Sequence, residues 1–265
     1  MSLKEYIINM GDYGIDTSSV NIEKIQQIKI PKRLRDEIPT LNRMGYMKME
    51  LDEYSEAFIQ CAAQAKNRVL EIGCAYGFIV NKVLEAGGNI IASDLSEDHL
   101  LILLENTPKK FLKNLNLYPG NFPDNISLPR ESISAVLASR ILHFLDGETI
   151  KKGLDKIHNW LTQEGKFFFV AITPYHETIR EKFLSQYFNN IKNGEEWPGI
   201  IENQWELAPQ HKEYVEPYIN VFDVEQLEKL LPQHGFKIDK ISLFNYSNDI
   251  TAGDKGHIGF VASKI

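Results

Sequence analysis

The stretch Val69-Leu70-Glu71-Ile72-Gly73-Cys74-Ala75-Tyr76-Gly77 carries an apolar, strand-like run into a pair of glycines separated by three residues. A short apolar run closed by glycine reads as a buried strand entering a tight turn, with a helix after it. Gly73 and Gly77 let the backbone turn sharply and come close to a ligand. The helix that follows offers unpaired N–H groups and the positive end of its dipole, which suits a carboxylate or a phosphate. Many strand-to-helix turns carry glycines for packing alone, so a second feature is needed. It comes from Ile90-Ile91-Ala92-Ser93-Asp94, where a second strand ends in an acid 21 positions after Gly73. A carboxylate there can accept two hydrogen bonds from a ribose diol. Alone, Asp94 also reads as a helix-start residue; the order of strand, glycine turn, helix, strand and acid favours a nucleotide-type site.

Outward from this unit, short apolar runs alternate with amphipathic segments, the pattern of βαβ units feeding a parallel sheet. The strands expected are 68–72, 89–94, 116–119, 134–139 and 165–171. Ser96 reads as the N-cap of a helix with Glu97 and Asp98 in its first turn, ending before Pro108. Ile150, Leu154, Ile157 and Leu161 form one helical stripe that stops at Gly165. Upstream, Tyr54, Ala57, Phe58, Cys61, Ala62 and Ala65 recur at helical spacing, behind a polar segment of about 50 residues that is read as an N-terminal helical cap. Residues 174–220 break the rhythm, with eight aromatics and eight Glu against four Lys or Arg. A helix near 223–233 and two strand-like stretches, 236–243 and 256–264, close the chain as an antiparallel hairpin. The fold class is therefore α/β, a doubly wound Rossmann-like sheet, mostly parallel, with a cap over 1–53, a main domain over 54–265 and a lid insertion over 174–220.

With these residues in view, the chain resembles the class I S-adenosylmethionine-dependent methyltransferases over most of 55–265. VLEIGCAYG is similar to the family's first motif, which implies that Glu71, Gly73, Cys74, Ala75 and Gly77 hold the methionine end of the cofactor. Ala75 departs from the commonest motif, which has glycine there. The resemblance further implies Asp94 as the ribose ligand with Leu95 beside it. Gly120-Asn121-Phe122-Pro123 lies where the family has Gly-Asp, so Asn121 stands in as acceptor for the adenine amino group, with Phe122 packing on the ring. Ser139-Arg140-Ile141-Leu142-His143-Phe144 resembles the segment after the fourth strand, and Ser139 is expected to line the methionine side.

Other residues keep two readings. His143 follows the fourth strand, where a general base would stand, and also suits packing beside Phe144. Tyr76 either leans over the cofactor or packs outward. Cys74 reads as a packing residue rather than a nucleophile. In the insertion, Ile179, Phe183, Leu184, Tyr187, Phe188 and Ile191 fall on one packing stripe, whereas Trp197 and Trp205 sit in aperiodic sequence as expected acceptor contacts.

Several classes are excluded or disfavoured. A dinucleotide-type oxidoreductase needs a third glycine at 78, where Phe78 stands. The net charge of −7 repels nucleic acid, and the basic run Lys29, Lys32, Arg33 and Arg35 reads as solvated surface. Cys61 and Cys74 form no disulfide framework or metal set, and there is no run of about 18 apolar residues to span a membrane. A cytoplasmic protein is expected. No Asp/Asn-Pro-Pro-Tyr/Phe motif follows the fourth strand and no Pro-Cys pair suits cytosine chemistry. The expected activity is methyl transfer from S-adenosylmethionine to a small-molecule acceptor; the rival is a regulatory or scaffolding relative that binds the cofactor without turnover. The methylated atom and the oligomeric state are not legible.

Overall fold

The computed structural model describes residues 13–17, 28–247 and 255–265. Its described elements are, in chain order, β1 (Ile15–Asp16), β2 (Glu37–Pro39), β3 (Tyr46–Lys48), α1 (Glu53–Gln64), β4 (Val69–Ile72), α2 (Phe78–Glu85), β5 (Ile90–Asp94), α3 (Glu97–Asn106), β6 (Leu115–Pro119), β7 (Ile133–Ser139), α4 (Gly147–Trp160), β8 (Leu161–Ile172), α5 (Arg180–Lys192), β9 (Ile200–Ile201), α6 (Gln204–Leu207), β10 (Ile219–Asn220), α7 (Val224–Gln233), β11 (Phe236–Phe244) and β12 (His257–Lys264). Eight strands form one sheet in the order β1-β6-β5-β4-β7-β8-β12-β11. From β6 to β8 neighbours run parallel, and β12 enters antiparallel between β8 and β11. The expected closing hairpin is present, and β1 adds an antiparallel edge.

Strand β4 is buried at all four positions because helices cover both faces of the sheet. Alternate residues serve opposite faces. Leu70, Ile72, Val136, Phe167 and Phe169 join α4 and α7 through Ile150, Leu154, Leu227 and Leu231. Val69, Leu137, Phe168 and Val170 meet α1, α2 and α3 through Phe58, Val80 and Leu100. Fully burying a leucine or phenylalanine contributes roughly 1.5–3 kcal/mol, so these two layers fix the sheet beneath the site. Gly259 in β12 faces the Tyr54 ring, where an added Cβ would stand 2.1 Å from Cδ2; this close approach seats α1 on the sheet.

Two local expectations need correction. Helix α4 ends at Trp160, and Leu161 is extended as the first residue of β8, paired with Ile133 of β7, so the stripe ends one turn sooner than periodicity suggested. The described part of the cap contains the hairpin β2–β3, not a helix. Its turn uses Arg43 at φ 59° and Gly45 at φ 92°, with the Thr40 amide donating to the Gly45 carbonyl at 2.9 Å.

Candidate active site

Strands β5 and β7 flank β4 on opposite sides, so the chain reverses winding direction above the β4 C-terminus, the usual position of a ligand crevice in such sheets. A cavity open to solvent lies there. Its floor is the glycine loop. Gly73 (φ 70°), Ala75 (φ 45°) and Gly77 (φ 80°) are left-handed at alternate positions, so the turn holds an alanine where the commonest motif has glycine. A Cβ at Gly73 would stand 1.9 Å from Ile141 Cδ1, and one at Gly77 would stand 2.2 Å from Leu103 Cδ1. Both glycines thus serve φ, and any side chain at either would have to push a neighbouring Ile141 or Leu103 aside.

Asp94 organises this floor. Oδ2 accepts from the Ala75 amide at 2.9 Å, Oδ1 accepts from the Ser96 amide at 2.8 Å, and its backbone carbonyl accepts from Gly120 at 3.0 Å. Three loops thus converge on one buried residue. Ser96 caps α3 by position, while its side chain makes no cap hydrogen bond. His99, in the first turn of α3, lies 2.9 Å from Asp94 Oδ1 through Nδ1. Its Nε2 is 3.0 Å from the Leu41 amide, which donates to it. Since Nε2 accepts, the single proton of the neutral ring sits on Nδ1 and is donated to Asp94.

Of the residues named from the sequence, Glu71, Gly73, Cys74, Ala75, Asp94, Leu95, Asn121, Phe122 and Ser139 line the cavity, and Gly77 lies just outside its lining. Leu95 is 55% exposed, a large apolar side chain facing open space. Phe122 lies opposite a gap in α4, where a Cβ on Gly153 would meet its ring at 2.7 Å, and packs edge-on to Trp160. Asn121 is exposed at the cavity margin. Three buried polar atoms, Glu71 Oε2, Ser93 Oγ and Ser139 Oγ, have no hydrogen-bond partner, although their residues all line this cavity. Such atoms cost free energy until a polar partner arrives. Burial, reinforced by Asp94, raises the Glu71 carboxyl to about 8. Burial likewise holds the Cys74 thiol well above its ordinary value, consistent with packing and not nucleophilic use.

The remaining candidates lie elsewhere. His143 is buried but does not line the cavity; its Nδ1 lacks a partner, and burial with the nearby Arg140, His257 and His176 lowers it to about 3. Trp197 packs over Gly147, whose added Cβ would stand 2.0 Å from Nε1, and faces a separate cavity shared with Tyr187 and Gln226. Trp205 donates from Nε1 to the Val215 carbonyl at 2.8 Å, with Lys212 5.0 Å above its ring. Neither tryptophan touches the crevice. The insertion 174–220 contributes none of the cavity-lining residues; Ile179, Phe183 and Tyr187 bury into a cluster of its own.

The opposite wall of the crevice comes from residues that sequence reasoning passed over. Thr40, Asn42, Met44, Tyr46, Met47 and Lys48 of the hairpin arm line it, with Phe144 and Leu145. The insertion buttresses this arm from behind. The Gly45 amide donates to the Tyr214 carbonyl at 2.9 Å, and Tyr46 Oη meets His211 Nδ1 at 3.0 Å. His99 itself was legible in principle: it is the third residue of α3, the position from which a side chain reaches back over a helix start.

Residues 69–165 match the family model described as "Methyltransferase domain". That segment is thus similar to a methyltransferase domain, consistent with the class I S-adenosylmethionine-dependent enzymes that its motifs resemble. A curated relative, an "uncharacterized methyltransferase" of Staphylococcus carnosus (strain TM300), is 26% identical over 164 residues, covering 62% of this chain and 71% of the relative. Among solved structures, an S-adenosylmethionine-dependent methyltransferase from Mesorhizobium loti superposes with a TM-score of 0.58 at 17% identity, over 79% of this chain and 95% of that one. A 1,6-didemethyltoxoflavin-N1-methyltransferase from Burkholderia thailandensis, crystallised with 1,6-didemethyltoxoflavin and S-adenosylhomocysteine, gives 0.55 at 14% identity, over 80% and 77%. These structural likenesses are likenesses of fold. Among the described residues no helix of this methyltransferase is long and apolar enough to cross a membrane, and no cluster of His, Cys, Asp or Glu could hold a metal ion.

Proposed function

We propose that this methyltransferase holds S-adenosylmethionine across the β4–β5 edge of the crevice and methylates an uncharged, largely apolar small molecule held against the hairpin arm. The observation that carries the cofactor half is that unpartnered atoms of Glu71, Ser93 and Ser139 belong, with Asp94, to the lining of one cavity. In this reading the polar groups of the loop and Ser139 meet the amino-acid end, Asp94 accepts from the ribose hydroxyls, Leu95 and Phe122 sandwich the adenine, and Asn121 accepts from its amino group. When bound, the cofactor supplies an electrophilic sulfonium methyl.

The acceptor half rests on the arm. Met44, Met47, Tyr46, Phe144 and Leu145 give an apolar, adaptable wall. Its cations are already engaged: Lys48 lies 2.7 Å from Asp36, and Arg140 donates to Tyr246 Oη at 3.0 Å. Asp36 neutralises Lys48, whereas Arg140 gives one of its donors to a neutral hydroxyl and keeps its charge, so it is the apolar lining that favours an uncharged acceptor. His99, the one histidine lining the cavity, has both nitrogens in use, so rate enhancement comes mainly from holding donor and acceptor in line. Neither His143 nor the two tryptophans receives a role at the reacting atoms.

The test is turnover with isotopically labelled S-adenosylmethionine over fractionated small-metabolite pools, read by mass spectrometry for labelled methyl. Labelled, neutral small molecules are expected. Label found only on macromolecules would overturn the acceptor reading.

A further inference from the structure

The arm and the cofactor floor meet at two side chains. Tyr76 Oη donates to the Pro39 carbonyl at 2.8 Å, and its ring stands edge-on to His99 at 5.0 Å. His99, 1% exposed, accepts the Leu41 amide on one nitrogen and donates to Asp94 from the other. Leu41 lies 58 residues from His99 in the chain, in the turn that joins β2 to β3. A single buried ring thus spans from the acid beneath the crevice to the backbone of its opposite wall. Moving the arm outward breaks the Leu41 bond, and a reoriented Asp94 pulls on the same ring.

We propose that His99 is a positioning residue that couples occupancy of Asp94 to closure of the 37–48 arm, so that cofactor binding assembles the acceptor wall. The proposal rests on the reading of Asp94 as the ribose-binding acid. Coupling of this kind is reciprocal: whatever the cofactor contributes to arm closure, arm closure returns to cofactor affinity. A histidine is suited to the task because one ring presents a donor and an acceptor at opposite ends. Asparagine reproduces the reach of the Nδ1 donor alone, and glutamine the reach of the Nε2 acceptor alone, so the two functions can be separated.

The probe is S-adenosylhomocysteine, and the readouts are its affinity by calorimetry and the amide exchange of residues 40–48. In the wild-type chain the ligand is expected to slow exchange across 40–48, at Leu41 most of all. His99→Asn should gain no arm protection on binding and, since Asp94 keeps its donor, lose affinity only by the factor with which the ligand protects the arm in the wild-type chain. His99→Gln should keep the arm's ligand-free protection and lose roughly tenfold in affinity, the scale of one charge-assisted hydrogen bond. Arm protection by the ligand in His99→Asn equal to wild type overturns the coupling. So does an equal loss of affinity and protection in both variants, which is the mark of a loosened helix start. A wild-type chain that does not bind S-adenosylhomocysteine at all overturns the cofactor reading itself, a distinct outcome.

Discussion

Gly73 and Gly87 form a matched pair. Both take left-handed φ, 70° and 89°, but an added Cβ at Gly73 would stand 1.9 Å from Ile141 Cδ1, whereas one at Gly87 meets nothing within 4 Å. Alanine at either position incurs roughly 1–2 kcal/mol for the left-handed backbone. At Gly73 the methyl must also displace Ile141, a cavity-lining side chain, and overpacking adds about 1–3 kcal/mol. Gly87→Ala is thus expected to destabilise by roughly 1–2 kcal/mol, and Gly73→Ala by roughly 2–5 kcal/mol. Only Gly73→Ala should reduce S-adenosylhomocysteine affinity, because the loop it distorts bears the Ala75 amide bound to Asp94. Urea unfolding followed by tryptophan fluorescence gives the stabilities, and calorimetry gives the affinities. Equal destabilisation by the two variants, with ligand affinity unchanged in both, would refute the assignment of Gly73 to a crowded ligand loop.

Glu71, lifted to about 8 by burial and by Asp94, takes up a proton on folding at neutral pH. In the ligand-free protein its contribution to stability falls as pH rises from about 4.5 toward 8, since the folded state holds the proton that the unfolded state has lost. Glu71→Gln should remove that fall, as checked by urea midpoints across this range. Asn121→Ala should weaken S-adenosylhomocysteine by about 1 kcal/mol, one neutral hydrogen bond, with unfolding midpoints unchanged because the residue is exposed. Trp197→Ala and Trp205→Ala should leave that affinity within about twofold of wild type, as neither ring reaches the crevice, while unfolding at lower urea through lost packing.

The parts of this site that could be read in the sequence are those whose geometry is local. The Gly73–Gly77 turn and Asp94 are each fixed by the strand they terminate, so a spacing of 21 residues carried real positional information. Phe122 and Asn121 followed β6 for the same reason. The acceptor wall was not legible, because it is held by contacts remote in sequence and made largely by backbone: the Leu41 amide, the Pro39 carbonyl and the Gly45 amide. Nothing in the composition of 37–48 announces that its backbone will pair with a histidine and a tyrosine downstream. The placement of the tryptophans away from the crevice was not legible for a related reason. Aperiodic aromatic sequence reads as acceptor contact, whereas in the structure Trp197 fills the space above Gly147 and Trp205 satisfies the Val215 carbonyl. Leu161 extended the α4 stripe by periodicity alone, and pairing with Ile133 overrode it.

The central claim is that the Asp94 floor binds the adenosyl cofactor, and calorimetric titration of S-adenosylhomocysteine into the wild-type chain and into Asp94→Asn tests it most directly. One molecule should bind per wild-type chain. Asp94→Asn keeps the side chain's shape but replaces one acceptor oxygen with a donor in a site where backbone and ring N–H groups already point at the carboxylate. Its affinity should fall by about 1.5–3 kcal/mol, at least tenfold. Absence of binding to the folded wild-type chain, or equal affinity of the folded variant, would contradict the account.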